Sequence, residues 1–367
     1  MKNLLFLLSL TALTFSAFAQ TALDETLPVR GISISAPASA DVDDFVRFID
    51  QELAPAHFNM LVLLVDWGYA YEKLPELAGE LTKTDVKKIV AVCRKHNIAV
   101  APQINLLGHQ SWGQTTGKFL TVYPQFDETP HINLAESKVL GNGGDWKDPD
   151  FFYCKSYCPL HPEVHKVLFD AIDEITDVFE TNWFHAGMDE VTSLADPFCP
   201  RCCGRDPAEL FAGEVRTIHA HLAQQGKRMM IWGDRLLDCK ATGFHNSESS
   251  LNNTHRAIDM IPKDILIFDW HYGNAYQSPV YFAFKGFDVV TCPWNSAKVA
   301  AEQLEGMLYS RRQASKTFKP HLQGMVITEW SGWEKFRDEY YKKPEKYETG
   351  AESVKMLIEW LKKNERD

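Results

Sequence analysis

The chain has 367 residues, a formal net charge of −11, 45% hydrophobic residues and 12% aromatic residues, ten of them Trp. The acidic balance argues against nucleic acid and anionic membranes as partners. The length is more than one ordinary domain needs and suits one α/β barrel.

Lys2 followed by the apolar run "LLFLLSLTALTF" and the A-x-A triplet Ala17-Phe18-Ala19 reads as a secretory signal cleaved near Ala19. The expectation is export to the periplasm or the extracellular space. The run is short for a membrane span, and no Cys follows the cleavage site to carry a lipid. No later stretch is long and apolar enough for insertion, so residues 20–367 are read as the mature chain.

From there, apolar β-branched runs alternate with helical patterns. "RGISIS" is the first predicted strand, and "DVDDFVRFIDQELA" the helix after it. "FNMLVLLVD" is the second strand, followed by "TDVKKIVAVCRKHN", a helix with a cap signal at Thr84. "IAVAPQIN" is the third strand, and a polar, Gly-rich stretch runs over about 107–160 before the amphipathic "PEVHKVLFDAIDEITDVFE". "NWFHAGMDE" is the fourth strand and "RMMIWGD" the fifth, with the helix "AELFAGEVRTIHAHLAQQG" between them. "DILIFDWHY", "FDVVTCPWN" and "LQGMVITEWSG" are the sixth to eighth, and "GAESVKMLIEWLKK" is the last helix. Eight strands alternating with helices predict a single-domain (β/α)8 TIM barrel. The competing doubly wound sheet would carry a phosphate-binding glycine turn, and neither G-x-G-x-x-G nor a Walker pattern occurs.

In such a barrel chemistry collects where strands end. The predicted ends carry Asp66, Asn105 leading to His109, the pair Asp189–Glu190, Trp232 with Asp234, Trp270 with Tyr272, Trp294, and Glu329 with Trp330. Arg30 precedes the first strand. Several Trp and several acids converging on one face predict an aromatic-walled pocket suited to a sugar ring. Strand alternation puts His185, Gly187 and Asp189 on the inward face, with Gly187 leaving room for a ligand or neighbouring rings. Two adjacent acids in different surroundings can hold different protonation states, the division of labour that glycosidic cleavage requires. The alternative is an acidic pair that caps the following helix.

Of eight Cys, five fall in two clusters, Cys154 with Cys158 and Cys199 with Cys202 and Cys203. Disulfides suit an oxidising compartment, whereas a structural zinc would suit a Cys-x-x-Cys beside another Cys pair. Either would pin two loops flanking the fourth strand.

"HAGMDEV" resembles the H-x-G-G-D-E signature of the family 20 glycoside hydrolases, the β-N-acetylhexosaminidases. The resemblance extends, in order, through "RGISIS", "DVKKIVAVCRKHNIAVAPQINLLGH", "PLHPEVHKVLFDAIDEITDVF", "IWGDRLL" and "TEWSG", nearly the whole mature chain. It implies exo-acting, retaining hydrolysis of terminal β-linked GlcNAc or GalNAc, with the sugar's own acetamido oxygen as nucleophile and no cofactor. It implies Glu190 as general acid and base, and Asp189 as partner of the acetamido N–H. Trp232, Trp270 and Trp330 would box the acetamido group, Tyr272 would donate to its oxygen, and Arg30 would bind sugar hydroxyls. His109 and His185 would line the pocket and support the acid; no third ligand beside them is apparent, so no catalytic metal is expected. Three positions depart from the family pattern. Met188 replaces the second glycine, Asn105 replaces an acid, and Gly332 stands where many members have an acid after the last-strand Trp. Two rivals are a barrel that binds amino sugars without cleaving them, and a glycosidase that pairs Glu190 with a separate carboxylate, Asp66 or Asp234. A metal-dependent hydrolase built on the Cys clusters is a third.

Overall fold

The computed structural model describes residues 22–148 and 150–365; the expected export signal lies outside them. Eight parallel strands form a closed barrel: β1 Val29–Ser35, β2 Met60–Leu64, β3 Ala99–Leu106, β4 Trp183–Gly187, β5 Arg228–Trp232, β6 Leu266–Trp270, β7 Asp288–Cys292 and β8 Leu322–Glu329. Each pairs with its chain neighbour, and β1 closes on β8 with Val29 opposite Gly324 and Ile34 opposite Glu329. The expected (β/α)8 TIM barrel is therefore the observed architecture.

Alternation along the strands separates two cores. Met60 and Val62 of β2 point inward, with Met230, Trp232, Phe268, Val290 and Val326 from other strands. Leu61 and Leu63 point outward and pack beneath the helices, which contribute Val86 and Ile89, Leu168 and Ile172, Phe211 and Val215, and Leu304 and Leu357. The first three pairs sit at three- or four-residue spacing on the helices Lys83–Lys95, Val164–Val178 and Pro207–Gln224, and Leu304 and Leu357 come from Ala297–Gln313 and Ala351–Asn364.

The helix Lys83–Lys95 starts one residue before the expected cap. Thr82, not Thr84, accepts from the Asp85 N–H while the Asp85 carboxylate accepts from Thr82 N–H. Two threonines stand here, and only Thr82 has an acid three residues on to complete a capping box.

Arg30 does not reach the sugar-facing end. It sits at the start of β1, fully buried, and donates to Leu27 O at 2.6 Å, His57 O at 2.8 Å and Asp24 Oδ1 at 2.8 Å. Strand starts and strand ends lie at opposite poles of a parallel barrel. The expectation that Arg30 binds sugar hydroxyls is corrected: it ties the entering chain to the β1–β2 connection.

Among the described residues, no helix is long and apolar enough to cross a membrane.

Candidate active site

The site begins with a register change. Gln103 of β3 faces His185 of β4, but Leu106 faces Gly187, so β3 carries one extra residue there. Asn105 bulges against Gly187, whose φ is +67°; a Cβ on Gly187 would lie 2.8 Å from Asn105 Oδ1 and 2.9 Å from its Cα. Glycine is required for that contact and for the left-handed backbone. The space at Gly187 thus belongs to Asn105, not to a ligand or to rings as expected.

Beyond the bulge, the turn Leu107-Gly108-His109 folds onto the end of β4. A Cβ on Gly108 would stand 2.7 Å from Asp189 O. Gln110 braces the turn by donating to Asn105 O and Gly108 O. Leu107, His109, Met188 and Glu190 all hold positive φ without being glycine. Such residues cost about 1–3 kcal/mol each and persist where surrounding contacts over-determine them. Met188 points away from Asp189 into the helix-side core, fully buried.

The outcome is a three-group cluster. His109 Nε2 lies 3.0 Å from Asp189 Oδ2 and 3.1 Å from Glu190 Oε2. Burial alone would depress the imidazole pKa, but the Asp189 charge and hydrogen bonds to both carboxylates outweigh it and hold His109 well above its ordinary value. Burial would raise Asp189; the His109 charge and hydrogen bond outweigh that and hold it below the ordinary carboxylate range. The other Asp189 oxygen, Oδ1, is buried with no hydrogen-bond partner. Tyr153 O–H donates to Glu190 Oε2. The three ligand atoms lie within 4.8 Å of one another, so their composition would also suit a cation. With the ring nitrogen at hydrogen-bond distance from both carboxylates, a proton on Nε2 is sufficient to link them.

A cavity of about 610 Å³ opens above the cluster, lined by Asn105, His109, Asp189 and Glu190, by Trp270, Tyr272, Trp294 and Trp330, and by Trp112, Trp146, Tyr153 and Glu248. This is the size range of a small-molecule site. Trp330 Nε1 donates to Tyr272 Oη at 2.7 Å, which orients both rings. Glu248 is held on the wall by His271 Nδ1 at 2.7 Å. A second hollow shares Trp146 and Tyr153 and runs on past Thr192 and Asn252.

Four further expectations need correction. Trp232 is fully buried beneath the pocket, 4.7 Å from the His185 ring and 5.5 Å from Trp330, so it forms floor rather than wall. His185 is likewise enclosed within the barrel; its Nδ1 accepts from Gly187 N, and burial pushes its pKa down to about 3, so it stays neutral. Asp234 does not face the cavity, because the protein occupies its oxygens: Glu190 N at 2.9 Å, Arg235 Nε at 2.6 Å and Trp270 Nε1 at 3.2 Å. Burial raises its pKa to about 6, against the opposing Arg235 charge. Glu329 accepts from Ser331 N and Gly350 N and pins the end of β8 to the start of the last helix.

Trp112, Trp146 and Tyr153, all from the long stretch after β3, and Glu248 went unnoticed in the sequence. The available signal was the set of aromatic residues in "SWG", "DW" and "FFY" within an otherwise polar, Gly-rich segment.

The family model described as glycosyl hydrolase family 20, catalytic domain, matches residues 50–353. The chain belongs to this family. A β-hexosaminidase of Akkermansia muciniphila is 26% identical over 281 residues, which are 68% of this chain and 49% of that protein. A lacto-N-biosidase of Bifidobacterium bifidum is 27% identical over 169 residues, 43% of this chain and 13% of that protein. The chain therefore spans about half or less of these relatives. Among solved structures, a Flavobacterium johnsoniae chitobiase superposes with a TM-score of 0.64 at 18% identity, covering 92% of this chain and 50% of that one. Dispersin B gives 0.51 at 14% identity, covering 89% and 97%. At these identities the structural likeness carries the fold.

Proposed function

We propose that this family 20 member is a retaining β-N-acetylhexosaminidase that removes terminal β-linked GlcNAc or GalNAc, with the substrate's acetamido oxygen as nucleophile. One observation carries the reading: Asp189 Oδ1 is a buried, unpaired acceptor beside Glu190 in an indole-lined cavity. An unpaired buried carboxylate oxygen is costly, and an amide N–H is the donor that would complete it.

The chemistry follows from the positions. Asp189 takes the acetamido N–H, turning the carbonyl oxygen toward the anomeric carbon. As that oxygen attacks, positive charge grows on the forming oxazolinium ring, and ionised Asp189 stabilises it. Tyr272, which accepts from Trp330, gives its O–H to the acetamido oxygen. Glu190 Oε2 is engaged by Tyr153 and His109, which leaves Oε1 to carry the proton given to the leaving oxygen. Glu190 then takes a proton from the water that opens the ring, and the product keeps its β configuration. Glu248 is the carboxylate placed to accept sugar hydroxyls. Export of residues 20–367 as one catalytic barrel belongs to the same proposal.

The geometry disfavours a separate carboxylate nucleophile. Two-carboxylate glycosidases set their acids on opposite sides of the scissile bond, at least about 5 Å apart. Asp189 and Glu190 share one imidazole nitrogen, Asp234 accepts from Glu190 N, Arg235 Nε and Trp270 Nε1, and Asp66 accepts from Asn105 N at 2.7 Å. The test is inhibition by a thiazoline that mimics the oxazolinium, assayed on an aryl N-acetyl-β-glucosaminide. Competitive inhibition far tighter than substrate binding supports the reading; no inhibition of an active enzyme contradicts it.

A further inference from the structure

Away from the sugar pocket, Cys158, Cys199, Cys202 and Glu128 each bring one ligand atom to within 4.8 Å of the others, and all four are buried. Cys158 Sγ lies 3.4 Å from Cys202 Sγ and 3.6 Å from Cys199 Sγ. A tetrahedral zinc with Zn–S bonds of about 2.3 Å sets its sulfurs about 3.8 Å apart. A disulfide needs about 2.05 Å and joins only two sulfurs, which would strand the third beside a glutamate.

The glutamate is the independent sign. Glu128 is completely buried, and its Oε1 accepts from Asp196 N at 3.1 Å. Its carboxylate stands among the three thiols, and its other oxygen, Oε2, has no hydrogen-bond partner. Three thiols offer a buried carboxylate only weak S–H donors, whereas a cation between them would satisfy the carboxylate and the sulfurs together. The other two clustered cysteines stand apart: Cys154 Sγ faces Glu190 O at 3.6 Å, and Cys203 is exposed.

We propose that Cys158, Cys199, Cys202 and Glu128 bind one structural zinc ion. Three thiolates and a carboxylate complete a tetrahedral set with no position left for substrate, so the ion stabilises rather than catalyses. Glu128 and Cys158 belong to the long segment after β3, which also supplies Trp146 and Tyr153. Cys199 and Cys202 belong to the segment that begins with Glu190. The ion would bind the outer wall of the pocket to the loop of the catalytic acid, independently of which sugar is cleaved.

The test is elemental analysis of the full chain purified without chelator under reducing conditions. About one zinc per chain is expected, retained in Cys154→Ser and Cys203→Ser and lost in Cys158→Ser, Cys202→Ser and Glu128→Ala. Cobalt exchange of the unaltered protein covers the case in which those variants fail to fold. Thiolate-to-cobalt charge-transfer absorption with tetrahedral d–d bands is the supporting result. The proposal is overturned by a chain with free thiols that takes up neither metal, or by peptide mapping that finds a disulfide among Cys158, Cys199 and Cys202.

Discussion

His109 holds Asp189 by one oxygen and leaves the other bare: Nε2 to Oδ2 is 3.0 Å, while Oδ1 is buried without a partner. The imidazole both fixes the carboxylate and keeps it ionised. Its own pKa is raised, so its contribution to stability is complete below about 6.5 and is lost as pH rises through the folded value. That of Asp189 is lowered, so its contribution is complete above about 3.9 and is lost as pH falls through the folded value. The pair is one interaction, intact through neutrality.

His109→Gln should therefore move the acid limb of the pH profile of kcat/KM upward. Asp189 loses its cation and returns toward the ordinary carboxylate range or above it. A profile with an unmoved acid limb would dissociate His109 from the state of Asp189.

Glu190→Gln should lower kcat on alkyl glycosides by about 10²–10⁴-fold, the usual worth of a general acid. The loss should shrink as the leaving group becomes more acidic, because a phenolate with strong electron withdrawal departs without a proton. Tyr153→Phe, which removes the donor to Glu190 Oε2, should cost about tenfold in kcat/KM. A leaving-group series measured on the three proteins checks both.

Asp234→Ala should lower unfolding free energy by about 3–5 kcal/mol, the cost of leaving Arg235 buried without its partner. It should also reduce kcat, since the Glu190 N–H and the Trp270 indole lose their common acceptor. Denaturant titration alongside kinetics separates the two effects. Arg30→Met should lower the unfolding midpoint while leaving KM unchanged, because every contact made by Arg30 lies at the far pole of the barrel.

Glu248→Ala should raise KM for an aryl N-acetyl-β-glucosaminide more than it lowers kcat, as expected for a group that binds hydroxyls remote from the reacting bond. A variant with unchanged KM would remove Glu248 from the sugar site.

The barrel was legible because its strands are short apolar runs at regular spacing and its helices are strongly amphipathic. Asp189, Glu190, Trp270, Tyr272, Trp294 and Trp330 were placed at the pocket because strand ends of a parallel barrel share one face. The same reasoning misplaced Trp232, Asp234 and Glu329. Position along a strand gives the pole but not the depth, and an acid just past a strand end can turn to neighbouring N–H groups instead of the cavity. Arg30 was misread at the level of the pole itself. Trp112, Trp146 and Tyr153 could not be assigned, because the path of a segment of some fifty residues depends on contacts distant in sequence. One of these joins the carboxylate of Glu128 to Cys158, Cys199 and Cys202, a grouping in which the cysteine pattern showed only part of the ligand set.

The most direct measurement compares turnover of an aryl 2-acetamido-2-deoxy-β-glucoside with that of its 2-hydroxy analogue, following the first-formed anomer by proton NMR. β product is expected from the acetamido substrate, with turnover of the hydroxy analogue lower by at least about 10³-fold, because that sugar lacks the internal nucleophile. Comparable turnover of both, or α product, would contradict it.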